Sequence, residues 1–111
     1  MRQIRQGDVL LVRVEAPTGA LVDVAREGGR VVLAHGEVTG HAHAIVDEAA
    51  RLVSAAQAEE LYLIVHGERP VSLVHEEHET LTVEPGVYRV VRQREYRPAP
   101  ATERTWDWVS D

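Results

Sequence analysis

Residues 71–96 read VSLVHEEHETLTVEPGVYRVVRQREY. Val71 to His75 and Thr80 to Val83 are short apolar runs rich in β-branched residues, and each is too brief for a helix. Glu84-Pro85-Gly86 is a turn, and Val87 to Tyr96 resumes an apolar run that mixes Val, Tyr and Arg. Strand, turn, strand is the reading that fits this stretch.

The same grammar extends upstream. Gly7 to Glu15, Leu21 to Ala25, Arg30 to His35, Glu37 to Val46 and Leu61 to His66 all read as strands. Arg26-Glu27-Gly28-Gly29-Arg30 is a turn whose glycines tolerate positive φ, and Gly67-Glu68-Arg69-Pro70 reads as a hairpin connection. Residues 47–60 are rich in Ala and Glu and leave helix and strand both open, with a strand at Arg51 to Ala55 preferred. Eight or so short strands at close spacing predict an all-β fold, either a small antiparallel sandwich or a cupin-like barrel. Residues 1–96 form one β domain. Residues 97–111 form a proline-containing linker and a C-terminal tail with Trp106 and Trp108, expected to dock on the domain or a neighbouring subunit.

Composition narrows the function classes. The chain has 111 residues, 44% hydrophobic and 27% charged, as in an ordinary globular domain. Cysteine is absent, which removes disulfides, thiolate ligands and cysteine nucleophiles. No apolar run approaches the ~20 residues of a membrane span, and no signal peptide is read, so a soluble cytoplasmic protein is expected. A net charge of −6 argues against nucleic acid as the main partner. Tyr88, Val90, Arg92, Arg94 and Tyr96 share one strand face, the sole arrangement suited to stacking on bases. Their opposite face carries Val87, Arg89 and Val91 and has no evident chemistry. No phosphate loop and no serine in a nucleophile elbow is present.

Five of the six histidines fall in two segments, His35-Gly36-Glu37-Val38-Thr39-Gly40-His41-Ala42-His43 and His75-Glu76-Glu77-His78-Glu79. In a strand, His41 and His43 project from one face about 7 Å apart, with Glu37 and Thr39 beside them. The other face carries Val38, Gly40, Ala42, Ala44 and Val46, the small apolar set of a packed sheet surface. His75 continues the face of Val71 and Leu73. His78 would turn away from it in an unbroken strand, so a bulge or turn through Glu76 and Glu77 is needed to bring both rings to one side. If the segments meet, His41, His43, His75 and His78 form a set of nitrogen ligands for a divalent transition metal, Zn first, with Fe, Mn, Ni and Cu as alternatives. Glu77 or Glu79 would then accept a proton from a bound water. The plain alternative is a polar cleft of hydrogen-bonded histidines. His35 and His66, at strand ends, are read as structural, His35 being the better placed to join the site.

Gly36, His41, His43 and Glu48 resemble the first histidine motif of the cupins, and Val83-Glu84-Pro85-Gly86-Val87-Tyr88-Arg89-Val90 is similar to the proline-glycine turn of the second. That resemblance implies His41, His43 and Glu48 as ligands. Gly36 to His41 is one residue shorter than the cupin spacing, and no asparagine completes the second motif. The longer pattern HGEVTGHAH, HEEH and PGVYRVVRQREY is similar to a group of small bacterial and phage-encoded proteins with no assigned activity.

Two functional expectations follow. One is a metal-binding β protein, with catalysis an open further step. The other is a non-catalytic interaction or assembly module, phage- or defence-associated, whose histidines make polar contacts at an interface. A symmetric homo-oligomer, first a dimer, is expected for either.

Overall fold

The computed structural model describes residues 3–17, 19–36, 40–55 and 60–92. Ten strands run β1 (Gln3–Gln6), β2 (Val9–Val14), β3 (Leu21–Asp23), β4 (Val31–His35), β5 (Ala42–Ile45), β6 (Ala50–Ala55), β7 (Glu60–Val65), β8 (Val71–His75), β9 (His78–Val83) and β10 (Gly86–Arg92). They form two antiparallel sheets, a six-stranded one ordered β1-β2-β10-β7-β6-β3 and a four-stranded one ordered β4-β5-β8-β9. Each sheet keeps two edges, so the architecture is an open sandwich and not the closed barrel also expected. Among the described residues, no helix is long and apolar enough to cross a membrane.

Between the sheets, alternate residues of the two layers meet in one core. Val9 and Leu11 of β2, Tyr88 and Val90 of β10, and Leu63 and Val65 of β7 face Val31, Leu33, Ile45, Val71, Leu73 and Val83 of the smaller sheet. This is the aliphatic core that a Val-rich chain without Phe must build. Tyr88 is its one large aromatic, fully buried, with its hydroxyl donating to the Glu84 carbonyl oxygen at 2.8 Å. Tyr88, one of the two aromatics of the strand face considered for nucleic acid, is buried and cannot stack on a base. Arg94, Tyr96 and the tryptophan tail lie outside the described residues.

The strand preferred at Arg51 to Ala55 is present, as β6 over Ala50–Ala55. Several other local expectations change. Gln3–Gln6 is an additional strand, because Gly7-Asp8 makes a two-residue turn and Gln6 pairs with Val9. The loop at Gly67 to Pro70 is not a hairpin turn. It carries the chain from β7 in the larger sheet to β8 in the smaller one. The strand expected from Glu37 is confined, within the described residues, to Ala42–Ile45, which leaves His41 just ahead of it. Its two faces are not divided into a packed and an open side. Ala42, His43, Ala44 and Ile45 are all buried, and Val46, counted with the packed face, is 62% exposed.

Candidate metal centre

The two histidine segments meet. Ring centroids lie 4.2 Å apart for His43 and His75, 4.6 Å for His75 and His78, 5.7 Å for His43 and His78, and 5.9 Å for His41 and His75. The turn needed at Glu76-Glu77 exists as a two-residue hairpin loop in which His75 pairs directly with His78. Directly opposed residues share a face, so the hairpin solves the three-residue spacing that an unbroken strand could not. β5 lies beside β8 and brings His43 over the same spot.

His43 is the anchor. It is 1% exposed and points with Ile45 into the sandwich. Its Nδ1 is 2.8 Å from Gln6 Oε1. The Gln6 amide nitrogen donates to the Leu73 and Glu79 carbonyl oxygens at 3.0 and 2.9 Å. Two carbonyl acceptors fix that nitrogen as the NH₂ end, so Oε1 is the acceptor and His43 Nδ1 carries the proton. Burial, with His75 and His78 adding to it, pushes the His43 pKa down to about 4 against a partial opposing pull from Asp8. The ring is therefore neutral at pH 7, and Nε2 presents a lone pair 3.5 Å from Asp8 Oδ1.

Gln6 and Asp8 were not singled out from the sequence. Gly7-Asp8 ahead of an apolar run was a legible turn signal. Nothing in a lone glutamine announces that it will be buried and triply bonded.

The other rings are held differently. The backbone N–H of Glu77 donates to His75 Nδ1 at 3.0 Å. Burial first, and then the neighbouring His78, lower the His75 pKa. In its neutral form the His75 proton sits on Nε2. His78 is exposed at the start of β9. His41 Nδ1 is buried and lies 3.4 Å from Glu77 Oε2, outside hydrogen-bond geometry. Glu76 accepts from the Ala42 amide at 3.0 Å, and that bond holds its carboxyl below the usual carboxylate range. Strand alternation sends the Glu79 side chain to the face opposite His78, and its carbonyl serves Gln6.

The remaining candidates lie elsewhere. His35 pairs with Glu27 at 3.1 Å on an exposed edge. His66 is exposed beyond β7, and Glu48 is exposed in the turn between β5 and β6, the place where the cupin comparison would put a ligand.

Two glycines let backbone approach the rings. A Cβ on Gly7 would stand 2.7 Å from His78 Nε2 and 3.2 Å from His43 Cε1, and one on Gly36 would stand 3.2 Å from His75 Nε2. Gly7 also holds φ of +60°. Gly7→Ala is expected to cost about 1–2 kcal/mol from that backbone conformation and to displace the His78 ring. Denaturant unfolding, with the His78 imidazole resonances followed by NMR, checks both effects.

Among the described residues, no three His, Asp or Glu side chains already gather donor atoms to hold a metal ion. The arrangement is a partly buried nest of imidazoles in which neutral His43 turns one oriented lone pair toward the Asp8 carboxylate. No curated protein and no solved structure matches the chain. A model for a domain of unknown function, DUF8820, matches residues 5–93, and the chain belongs to that family.

Proposed function

We propose that this protein binds a divalent transition metal at the histidine end of the sandwich. One observation carries the reading: His43 Nε2 and Asp8 Oδ1 are 3.5 Å apart, with the lone pair of a neutral imidazole turned toward a carboxylate. Two ligands at about 2.0–2.2 Å on a tetrahedral ion stand about 3.4 Å from each other. The Gln6 contact supplies the support that metal-binding histidines generally have, a bond from the second ring nitrogen that fixes tautomer and orientation. The pair already has the right spacing for two adjacent ligands.

The ligand set read from sequence is revised accordingly. His43 and Asp8 come first. His78 is third, since an exposed imidazole changes rotamer readily. His75 is fourth, after its Nδ1 releases the Glu77 amide. His41 stands further out beside Glu77, which makes Glu77, and not Glu79, the group to take a proton from a bound water. Imidazoles with one carboxylate suit Zn first, and Fe, Mn, Ni and Cu remain compatible. Because Asp8 belongs to the larger sheet and His43 and His78 to the smaller, the ion would also tie the layers together.

Metal analysis of untagged protein and calorimetric titration with Zn²⁺ test this. One equivalent is expected to bind. Asp8→Asn is expected to weaken binding about 10–100-fold, and His43→Ala by at least as much. If about 100 μM Zn²⁺ leaves both the melting temperature and the metal content unchanged, the proposal fails.

A further inference from the structure

His41 lies outside the ligand set of the first ion, and its ring carries a nitrogen that the fold does not use. Nδ1 is buried and has no hydrogen-bond partner among the described residues. A buried polar atom stranded in this way costs about 1–3 kcal/mol. Glu77 Oε2 stands 3.4 Å from it, on a side chain that is 60% exposed.

That distance nearly repeats the 3.5 Å between His43 Nε2 and Asp8 Oδ1. A hydrogen bond would draw such a pair to about 3.2 Å or less, whereas two adjacent ligands of a tetrahedral ion stand about 3.4 Å apart. Backbone contacts hold both partners at this spacing. Glu76 accepts the Ala42 amide at 3.0 Å, which ties the residue after His41 to the hairpin loop. The Glu77 N–H donates to His75 Nδ1 at 3.0 Å, and the Gly36 N–H donates to the His41 carbonyl oxygen at 2.7 Å. A Cβ on Gly36 would stand 3.0 Å from the His41 Cβ, so glycine is what lets the two segments lie this close.

We infer that His41 Nδ1 and Glu77 hold a second divalent transition-metal ion beside the first, with water completing its shell. The inference rests on the reading of His43 and Asp8 as the first site, and it adds a limit to that site. His75 connects the two positions, its ring centroid 4.2 Å from that of His43 and 5.9 Å from that of His41. The carboxylates of Asp8, Glu76 and Glu77 offset part of the repulsion between two dications. Only two protein groups hold the second ion, so it binds more weakly and follows the single tight equivalent. Glu77 is also the group that takes a proton from water on the first ion. A carboxylate engaged by the second ion cannot serve as that base. Metal in excess therefore stops the proton transfer that one equivalent allows.

Calorimetric titration of the full chain with Zn²⁺ to about 1 mM is the test, since a site with a Kd of about 100 μM is then about nine-tenths filled. A second step is expected, at least about 10-fold weaker than the first. His41→Ala and Glu77→Gln are each expected to abolish the second step and to leave the first within about 5-fold. Asp8→Asn does the reverse, weakening the first step and sparing the second. The nitrogen-15 resonance of His41 Nδ1 is expected to shift during the second step. Circular dichroism confirms that each variant folds. A wild type that stops at one equivalent overturns this inference and leaves the first site standing, whereas no binding at all overturns both. A second step that survives both His41→Ala and Glu77→Gln also overturns it, by placing the ion on other histidines.

Discussion

Gln6→Leu is expected to cost about 3–5 kcal/mol, far beyond what the loss of a surface glutamine would do. The two side chains are similar in size, so the loss comes from hydrogen bonding. Gln6 is 3% exposed. It satisfies the Leu73 carbonyl oxygen in the buried interior, the Glu79 carbonyl oxygen at its border and the His43 Nδ1 proton. Leucine leaves all three without that partner, at about 1–3 kcal/mol for each buried group stranded.

Gln6→Glu separates the contributions. A carboxylate still accepts from His43, but it turns an oxygen toward two carbonyl oxygens, so a comparable loss is expected together with a raised His43 pKa. Urea unfolding measures the cost. Nitrogen-15 shifts of the His43 ring report the tautomer, with the proton on Nδ1 in the wild type. A cost below about 1 kcal/mol, or a proton found on Nε2, would break the link between Gln6 and the orientation of the His43 lone pair.

That bond also marks the limit of what the chain discloses on its own. Alternating Val and Leu with glycine turns made the β class readable, because burial of one sheet face leaves a period-two trace in any strand. Arg26-Glu27-Gly28-Gly29-Arg30 was likewise legible as a turn, with Gly28 and Gly29 at φ of 62° and 80° between bridged Glu27 and Arg30. The sheet in which a strand sits leaves no such trace. Val71 follows Val65 at hairpin distance in the sequence, yet their strands lie in different layers.

The site divided along the same line. The H-x-H pair and the two histidines separated by Glu76-Glu77 were visible as clusters, and the tight turn between His75 and His78 was a definite requirement that the fold meets. Gln6 and Asp8 were not, since they come from the opposite sheet across the sandwich. The contacts that tune His43 are long-range, 37 residues away in the case of Gln6. His43 itself was read as presented to solvent. It is buried because its face of β5 continues into Ile45 and the core.

Acid should destabilise the metal-free protein in a window set by His43. Its pKa is about 4 in the fold and 6.5 without structure. Above pH 6.5 the ring is neutral in both states and contributes no pH dependence. As pH falls below 6.5 the unfolded chain takes up a proton that the folded one refuses, so stability declines by up to about 1.4 kcal/mol per pH unit until pH 4. The whole window amounts to roughly 3 kcal/mol, and the ring is fully buried, so little of it is lost to solvent screening. His75, whose pKa is also lowered, adds in the same direction near the top of the window. The depressed Glu76 carboxyl contributes stability above its usual value of 4.5 that is lost below it.

His43→Asn isolates the His43 contribution. The asparagine amide nitrogen occupies a place close to Nδ1 and can still donate to Gln6, but it does not titrate. The variant is expected to be weaker at pH 7, from lost ring volume, and flatter between pH 6.5 and 4 than the wild type. Urea unfolding at half-unit pH steps, with chelator present, compares the slopes. Parallel curves would show that His43 protonates as easily inside the protein as outside it. The neutral lone pair turned toward Asp8, on which metal binding depends, would then not exist at pH 7.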